Sequence, residues 1–139
     1  MKTWHGGCHC GALGFEFRTA LEPAAWSLRA CQCSFCRAHG AISTSDPAGE
    51  VHFTHQEPQL LSRYRFGLKT ADFLFCARCG VYLGAMMDLD GRALAVINLN
   101  TLDPRPNGLP DEKPMSYDGE SSGARNSRRA VRWTPVLES

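Results

Sequence analysis

Three cysteines fall within six residues at Cys31-Gln-Cys33-Ser-Phe-Cys36. Two further pairs, Cys8-His-Cys10 and Cys76-Ala-Arg-Cys79, complete the seven in the chain. Residues two apart in a strand point the same way, so Cys-x-Cys can present two sulfurs to one ion. Cys-x-x-Cys at a tight turn does the same by wrapping around it. Four protein ligands close a structural zinc, whereas a catalytic zinc commonly has three and keeps one position open. Seven divides as four plus three. Cys8, Cys10, Cys76 and Cys79 are therefore expected to hold one Zn²⁺, closing a long loop, and Cys31, Cys33 and Cys36 a second.

A Zn²⁺ with three thiolates carries a net charge of about −1 and is a weaker Lewis acid than a His₃ site. It suits a soft fourth ligand, above all another thiolate, and a thiol bound to it is deprotonated. The expected role is capture and activation of a thiol substrate. Two other readings of these residues stay open. The second site could be structural, closed by His39, His9 or another side chain. Cys33-Ser-Phe-Cys36 could instead be a metal-free redox pair, although the βαβ context of a thioredoxin-like motif is missing. A zinc deaminase is excluded: His39 is followed by Gly40-Ala41 and Cys76 is preceded by Phe75, against the His-x-Glu and Pro-Cys-x-x-Cys elements of that class. His39 is either a proton carrier, having an unperturbed pKa near neutrality, or a hydrogen-bonded residue beside the metal loop. Arg37 either pairs with a substrate carboxylate or faces solvent.

Composition bounds the partners. The 139 residues, with 15 basic against 14 acidic side chains and a net charge of +1, suit one domain of ordinary size. That balance gives no reason to expect nucleic acid or a membrane surface as the main partner. There is no run of about 18 apolar residues for a transmembrane helix. Met-Lys-Thr-Trp-His-Gly-Gly-Cys lacks the apolar core of a secretory signal. A cytoplasmic protein is expected, and clustered cysteines there are metal ligands or catalytic groups before they are disulfides.

The elements that must position the sulfurs read as short strands and turns. Residues 5–11 form a glycine-rich knuckle. Leu13, Phe15 and Phe17 alternate with Gly14, Glu16 and Arg18 as a half-buried strand. Trp26, Leu28 and Ala30 form a second strand that delivers Cys31. Strands are also expected over 41–44, 51–54, 60–66 and 72–75. Asp90-Gly91 marks a tight turn between Val81–Met87 and Arg92–Leu99. Four prolines lie between 104 and 114, an extended covering stretch. A short helix over 121–131 is capped by Ser121 or Ser122. Its arginines, Arg125, Arg128, Arg129 and Arg132, are read as a solvated face before a ligand site. Trp133–Leu137 docks back onto the domain.

Gly7-Cys8-His9-Cys10-Gly11-Ala12, Cys31-Gln32-Cys33-Ser34-Phe35-Cys36-Arg37, Phe75-Cys76-Ala77-Arg78-Cys79-Gly80 and Leu102-Asp103-Pro104, in that order, resemble the glutathione-dependent formaldehyde-activating enzyme family, which includes centromere protein V. The likeness extends over residues 6–104. It implies a mainly β, Mss4-like (β-tent) zinc-binding fold of short antiparallel strands. It also implies a structural zinc on Cys8, Cys10, Cys76 and Cys79 and a catalytic zinc on Cys31, Cys33 and Cys36. The reaction implied is a carbon–sulfur lyase chemistry, in which a glutathione-type thiol adds to formaldehyde to give S-hydroxymethylglutathione. The domain organisation expected is a single unit over 1–139, with a motif core at 6–104 and a covering segment at 105–139. The other class of function compatible with this fold is a zinc-stabilised binding module without catalysis.

Overall fold

A computed structural model of the chain describes residues 1–137. β1 (Lys2–Gly7), β2 (Gly14–Thr19) and β5 (Glu50–Phe53) form an antiparallel group. Phe15, Phe17 and Thr19 alternate inward along β2, as the period-two pattern requires. β6 (Leu61–Tyr64), β7 (Asp72–Cys76), β8 (Tyr82–Leu89) and β9 (Arg92–Asn98) form an antiparallel meander. Its β8–β9 turn is the expected one, with Asp90 at φ 52° and Gly91 at φ 81°, matching the right-handed twist of a hairpin.

β9 is the strand that unites the molecule. β8 pairs with it from Gly84↔Ile97 to Leu89↔Arg92. Its other edge is divided between β11 (Thr134–Leu137), at Leu94 and Ala95, and β4 (Ser43–Thr44), at Ile97 and Asn98. β11 also pairs with β5, so all eleven strands belong to one sheet. Both faces of β9 are buried: Leu94 and Val96 pack with Trp133, while Ile97 enters the main core with Phe15, Phe17 and Leu83. In that core Trp26 meets Trp4 and Phe17 edge-on, with centroids 5.5 and 5.3 Å apart, a favourable geometry for aromatic pairs.

Several expectations are corrected. The strand over 26–30 shrinks to β3 (Arg29–Cys31). Pro23 starts a single 3₁₀ turn, and the Trp26 indole N–H donates to the Leu21 carbonyl instead of lying in a ladder. The glycine-rich stretch is half strand, since β1 runs to Gly7 and only Cys8 to Gly11 turn. The residues after Cys33 are helical: α1 (Ser34–His39) is capped by the Cys33 sulfur accepting from the Cys36 amide. The strands are not uniformly antiparallel. β10 (Lys113–Met115) runs parallel to β3, and β11 parallel to β5, because each enters the sheet from a long returning connection rather than from a hairpin. The 105–139 segment, apart from its last two residues, which lie outside those described, is therefore threaded into the sheet at two places. Between β10 and β11 lies α2 (Ser122–Arg132), with Ser121 as N-cap. No helix is long and apolar enough to cross a membrane.

Gly84 marks the tightest approach between β8 and β9, where a Cβ would collide with the Val96 carbonyl oxygen. Gly84→Ala is expected to destabilise the protein by about 1–3 kcal/mol, the usual cost of overpacking. Urea unfolding of the variant beside the wild type measures this.

Candidate functional site

The first sulfur cluster is built from two matched turns. Cys8 and Cys10 follow β1, and Cys76 and Cys79 span the β7–β8 connection. Each turn closes on a glycine in the left-handed region: the Gly11 amide donates to the Cys8 carbonyl, and the Gly80 amide to that of Cys76. Cys10 and Cys76 are 66 positions apart in sequence, yet their sulfurs lie 3.6 Å apart, and Cys8 Sγ is 3.7 Å from Cys10 Sγ. All four sulfurs fall within 4.8 Å of one another. Cys8 and Cys76 are buried in the main core, whereas Cys10 is exposed.

The chemistry of this donor set fits a metal ion. Backbone N–H groups of Leu13, Arg78 and Cys79 donate to the sulfurs of Cys8 and Cys76 at 3.3–3.5 Å. Burial alone would raise the Cys79 thiol, but the Val81 and Cys10 amides and neighbouring sulfurs hold it down at about 6. At Cys10 the Ala12 amide acts to lower the thiol, and desolvation and the three other sulfurs outweigh it, pushing it up to about 11. Negative sulfurs this close repel one another unless a cation sits among them.

The second cluster comprises Cys31 at the end of β3, Cys33 at the cap of α1 and Cys36 in its first turn, again within 4.8 Å. Among the described residues no fourth His, Cys, Asp or Glu joins them. The Cys31 and Cys36 thiols bond to Cys33 and hold it down to about 2. Contact with Cys33 raises Cys31, and contacts with Cys31 and Cys33 raise Cys36. Without a metal, Cys33 is the sulfur of the three that ionises most readily. β10 fixes it from outside: Met115 pairs with Cys31, and its carbonyl accepts from the Gln32 amide at 2.8 Å.

This cluster opens into a cavity of about 110 Å³. Phe66, Phe73, Tyr82 and Trp133 give it aromatic walls. Burial above all, and then the three sulfurs, push the Tyr82 phenol well above its usual pKa, so it carries its proton at neutral pH. Arg125, Arg128 and Arg129 line the same cavity. The expected solvated face of α2 is thus corrected: Arg132 is exposed, but Arg129 is buried, because β10 and β11 hold α2 with this side toward the sulfurs. Arginines at 125, 128, 129 and 132 have the i, i+3, i+4, i+7 spacing of one helical face, a signal visible in the sequence, where the ligand-site reading was the less favoured of the two. Tyr82 gave no signal beyond its place in a strand.

His39 lines neither this cavity nor the groove beside Cys8. Its Nδ1 lies 2.9 Å from the Phe35 carbonyl oxygen, and its ring packs on Phe35 at 4.4 Å. His9 borders the groove next to the other cluster, with His5 and Asp103. Arg37 is exposed.

Known proteins resemble this chain in both sequence and fold. The family model for the glutathione-dependent formaldehyde-activating enzyme matches residues 3–116. A crystal structure of a Rhodobacter sphaeroides protein, solved as a Northeast Structural Genomics target, superposes with a TM-score of 0.62 at 29% identity, covering 80% of this chain and 99% of that one.

The full chain, reduced and prepared anaerobically, is expected to bind two equivalents of a thiophilic divalent ion. The Cys31→Ser, Cys33→Ser, Cys36→Ser triple variant is expected to bind one and remain folded. Elemental analysis with circular dichroism checks both; one equivalent in both proteins would remove the second centre.

Proposed function

The chain belongs to the glutathione-dependent formaldehyde-activating enzyme family, and on that premise we propose that it is a zinc-dependent carbon–sulfur lyase that joins a glutathione-type thiol to an aldehyde such as formaldehyde. The observation that carries this reading is the three-sulfur cluster, with no fourth protein ligand among the described residues, facing a cavity. A binding module would have both clusters closed. In this proposal the fold is Mss4-like, a single domain. Cys8, Cys10, Cys76 and Cys79 hold a structural Zn²⁺, and Cys31, Cys33 and Cys36 hold a second. Seven free thiols suit a reducing compartment, so the cytoplasm is part of the proposal.

Zinc at the second centre supplies a Lewis acid that keeps a substrate thiol ionised at neutral pH. The chain's own residues do the rest. Cys31, Cys33 and Cys36 mark where the substrate sulfur is held. Phe66, Phe73 and Trp133 exclude water and confine the aldehyde beside that sulfur, which replaces a bimolecular encounter by a positioned one. Tyr82, carrying its proton, donates to the carbonyl oxygen as the new carbon–sulfur bond forms and charge develops there. The thiol proton leaves to solvent and Tyr82 is reprotonated, so the net reaction adds S–H across C=O. His39 takes no step in this scheme, because it does not line the cavity and its Nδ1 lies 2.9 Å from the Phe35 carbonyl oxygen.

The test is NMR exchange spectroscopy between glutathione and its hydroxymethyl adduct in formaldehyde, with zinc-loaded protein. An exchange rate above the uncatalysed one is expected. Cys33→Ser is expected to abolish the acceleration while the fold persists, and Tyr82→Phe to reduce it about a hundredfold. An unchanged rate in Cys33→Ser would sink the assignment.

A further inference from the structure

α2 lies beyond the residues matched by the family model, which end at 116, yet it supplies three of the arginines that line the sulfur cavity. Two of the three are matched within the chain. Arg128 makes two hydrogen bonds to Glu120, at 2.9 and 3.0 Å, and its guanidinium stacks 3.6 Å over Tyr117. Arg125 donates to Glu120 and to the Tyr117 carbonyl, each at 3.2 Å. Their side chains keep about a fifth of their surface in solvent, at 22% and 21%, so they stand toward the mouth of the cavity. Arg29, from β3, donates to Ser27 and Ser45.

Arg129 lies deeper. It is only 6% exposed, and its buried Nε has no hydrogen-bond partner. Its hydrogen bond among the described residues runs from Nη1 to Thr70 Oγ1, at 2.6 Å. Trp133 lies against the guanidinium at 4.6 Å and fixes its plane without neutralising it. No carboxylate pairs with it among the described residues. A buried guanidinium with unmatched charge and an idle donor is costly unless an anion completes it. One free guanidinium fork matches the single charge and two oxygens of a carboxylate.

The volume decides which reactant carries that anion. The cavity, about 110 Å³, is far below the roughly 300–1,000 Å³ of pockets for drug-sized ligands, so only the sulfur end of a glutathione-type thiol enters it. At roughly 10–15 Å³ for each water-sized group it has room beyond what formaldehyde, one carbon and one oxygen, would fill. We propose that the aldehyde favoured by this site is a small oxo acid, with its carboxylate on Arg129 and its carbonyl between Tyr82 and the three cysteines. This deepens the thiol–aldehyde reading and rests on it. The substrate sulfur bonds to the aldehyde carbon, and the carbonyl π pair passes to oxygen, which takes the Tyr82 proton. The thiol proton goes to solvent, from which Tyr82 is reprotonated, and the carboxylate is unchanged. The product is a 2-hydroxy acid carrying the thioether. Held by its carboxylate, the carbonyl is oriented for attack. Formaldehyde fits the same place without that contact. The segment 117–132 thereby acts as a specificity element for the aldehyde.

The experiment uses the full zinc-loaded chain and two aldehydes, glyoxylate and its neutral isostere 2-oxoacetamide. NMR exchange spectroscopy with glutathione gives the acceleration of adduct formation for each, relative to its own uncatalysed rate. The acceleration is expected to be about ten- to a hundredfold greater for glyoxylate, the range of a charge-assisted hydrogen bond. The preference is expected to vanish in Arg129→Gln and partly return in Arg129→Lys. Independently of turnover, oxamate, an unreactive glyoxylate analogue, is expected to shift the Arg129 Nε–H signal. The wild-type measurements stand alone if Arg129→Gln does not fold. Equal acceleration of the two aldehydes overturns the proposal, as does an Arg129 signal that oxamate leaves unmoved; Arg129 is then a counter-charge to the sulfurs. A signal moved by oxamate with neither aldehyde accelerated upholds the carboxylate subsite and sinks the thiol–aldehyde reading instead.

Discussion

The contact between Cys10 and Cys76 sulfurs governs the rest of the structure. It joins a turn after the first strand to a turn in the meander, and both turns are walled into the main core by Cys8 and Cys76. Four sulfurs held so close and supplied with amide donors could hold a metal ion among them. Metal binding at such a site is folding free energy, because the unfolded chain has no preformed site. A metal held there would tie the β1–β2–β5 group to the β6–β9 meander in addition to apolar burial.

The two clusters are chemically alike but embedded differently. The four-cysteine set merges with the main core and presents one exposed sulfur. The three-cysteine set belongs to a separate aromatic group around Phe35 and Tyr82. β3 is short and would be a weak support by itself. It is held on one side by β4 and on the other by β10, so the segment after the prolines stiffens the three-cysteine loop. A rigid support of this kind is what a site needs if three sulfurs are to stay aligned around an open position.

The electrostatics of the cavity follow from the same returning segment. Three sulfurs, of which Cys33 is the most readily ionised, face four arginines, and Glu120 offsets only part of the positive charge. Arg128 beside Glu120 holds that carboxyl below its usual range, which keeps the Glu120 pairing ionised throughout the neutral region. Arg129 is left as the unmatched cation, and desolvation, then the like charges of Arg128 and Arg125, bring it down to about 10. The site therefore has a soft, anionic end and a hard, cationic one within a single small cavity.

The sequence by itself determined the local items. Period-two alternation placed β2, and Asp90-Gly91 placed the β8–β9 turn. Ser121 placed the α2 cap, and cysteine spacing grouped the sulfurs as four and three. Each of these depends on neighbours within a few residues, or on ligand counting that needs no geometry. The tertiary structure alone decided which way α2 faces. Four arginines on one helical face read first as solvent-directed until β10 and β11, pairing with strands far away in sequence, turn three of them, Arg125, Arg128 and Arg129, toward the cavity. It alone also put Tyr82 beside the sulfurs, because a tyrosine in a strand is marked only by what packs against it. Local pattern fixes which residues share a face, whereas the long-range pairing of β3, β5 and β9 fixes what that face meets.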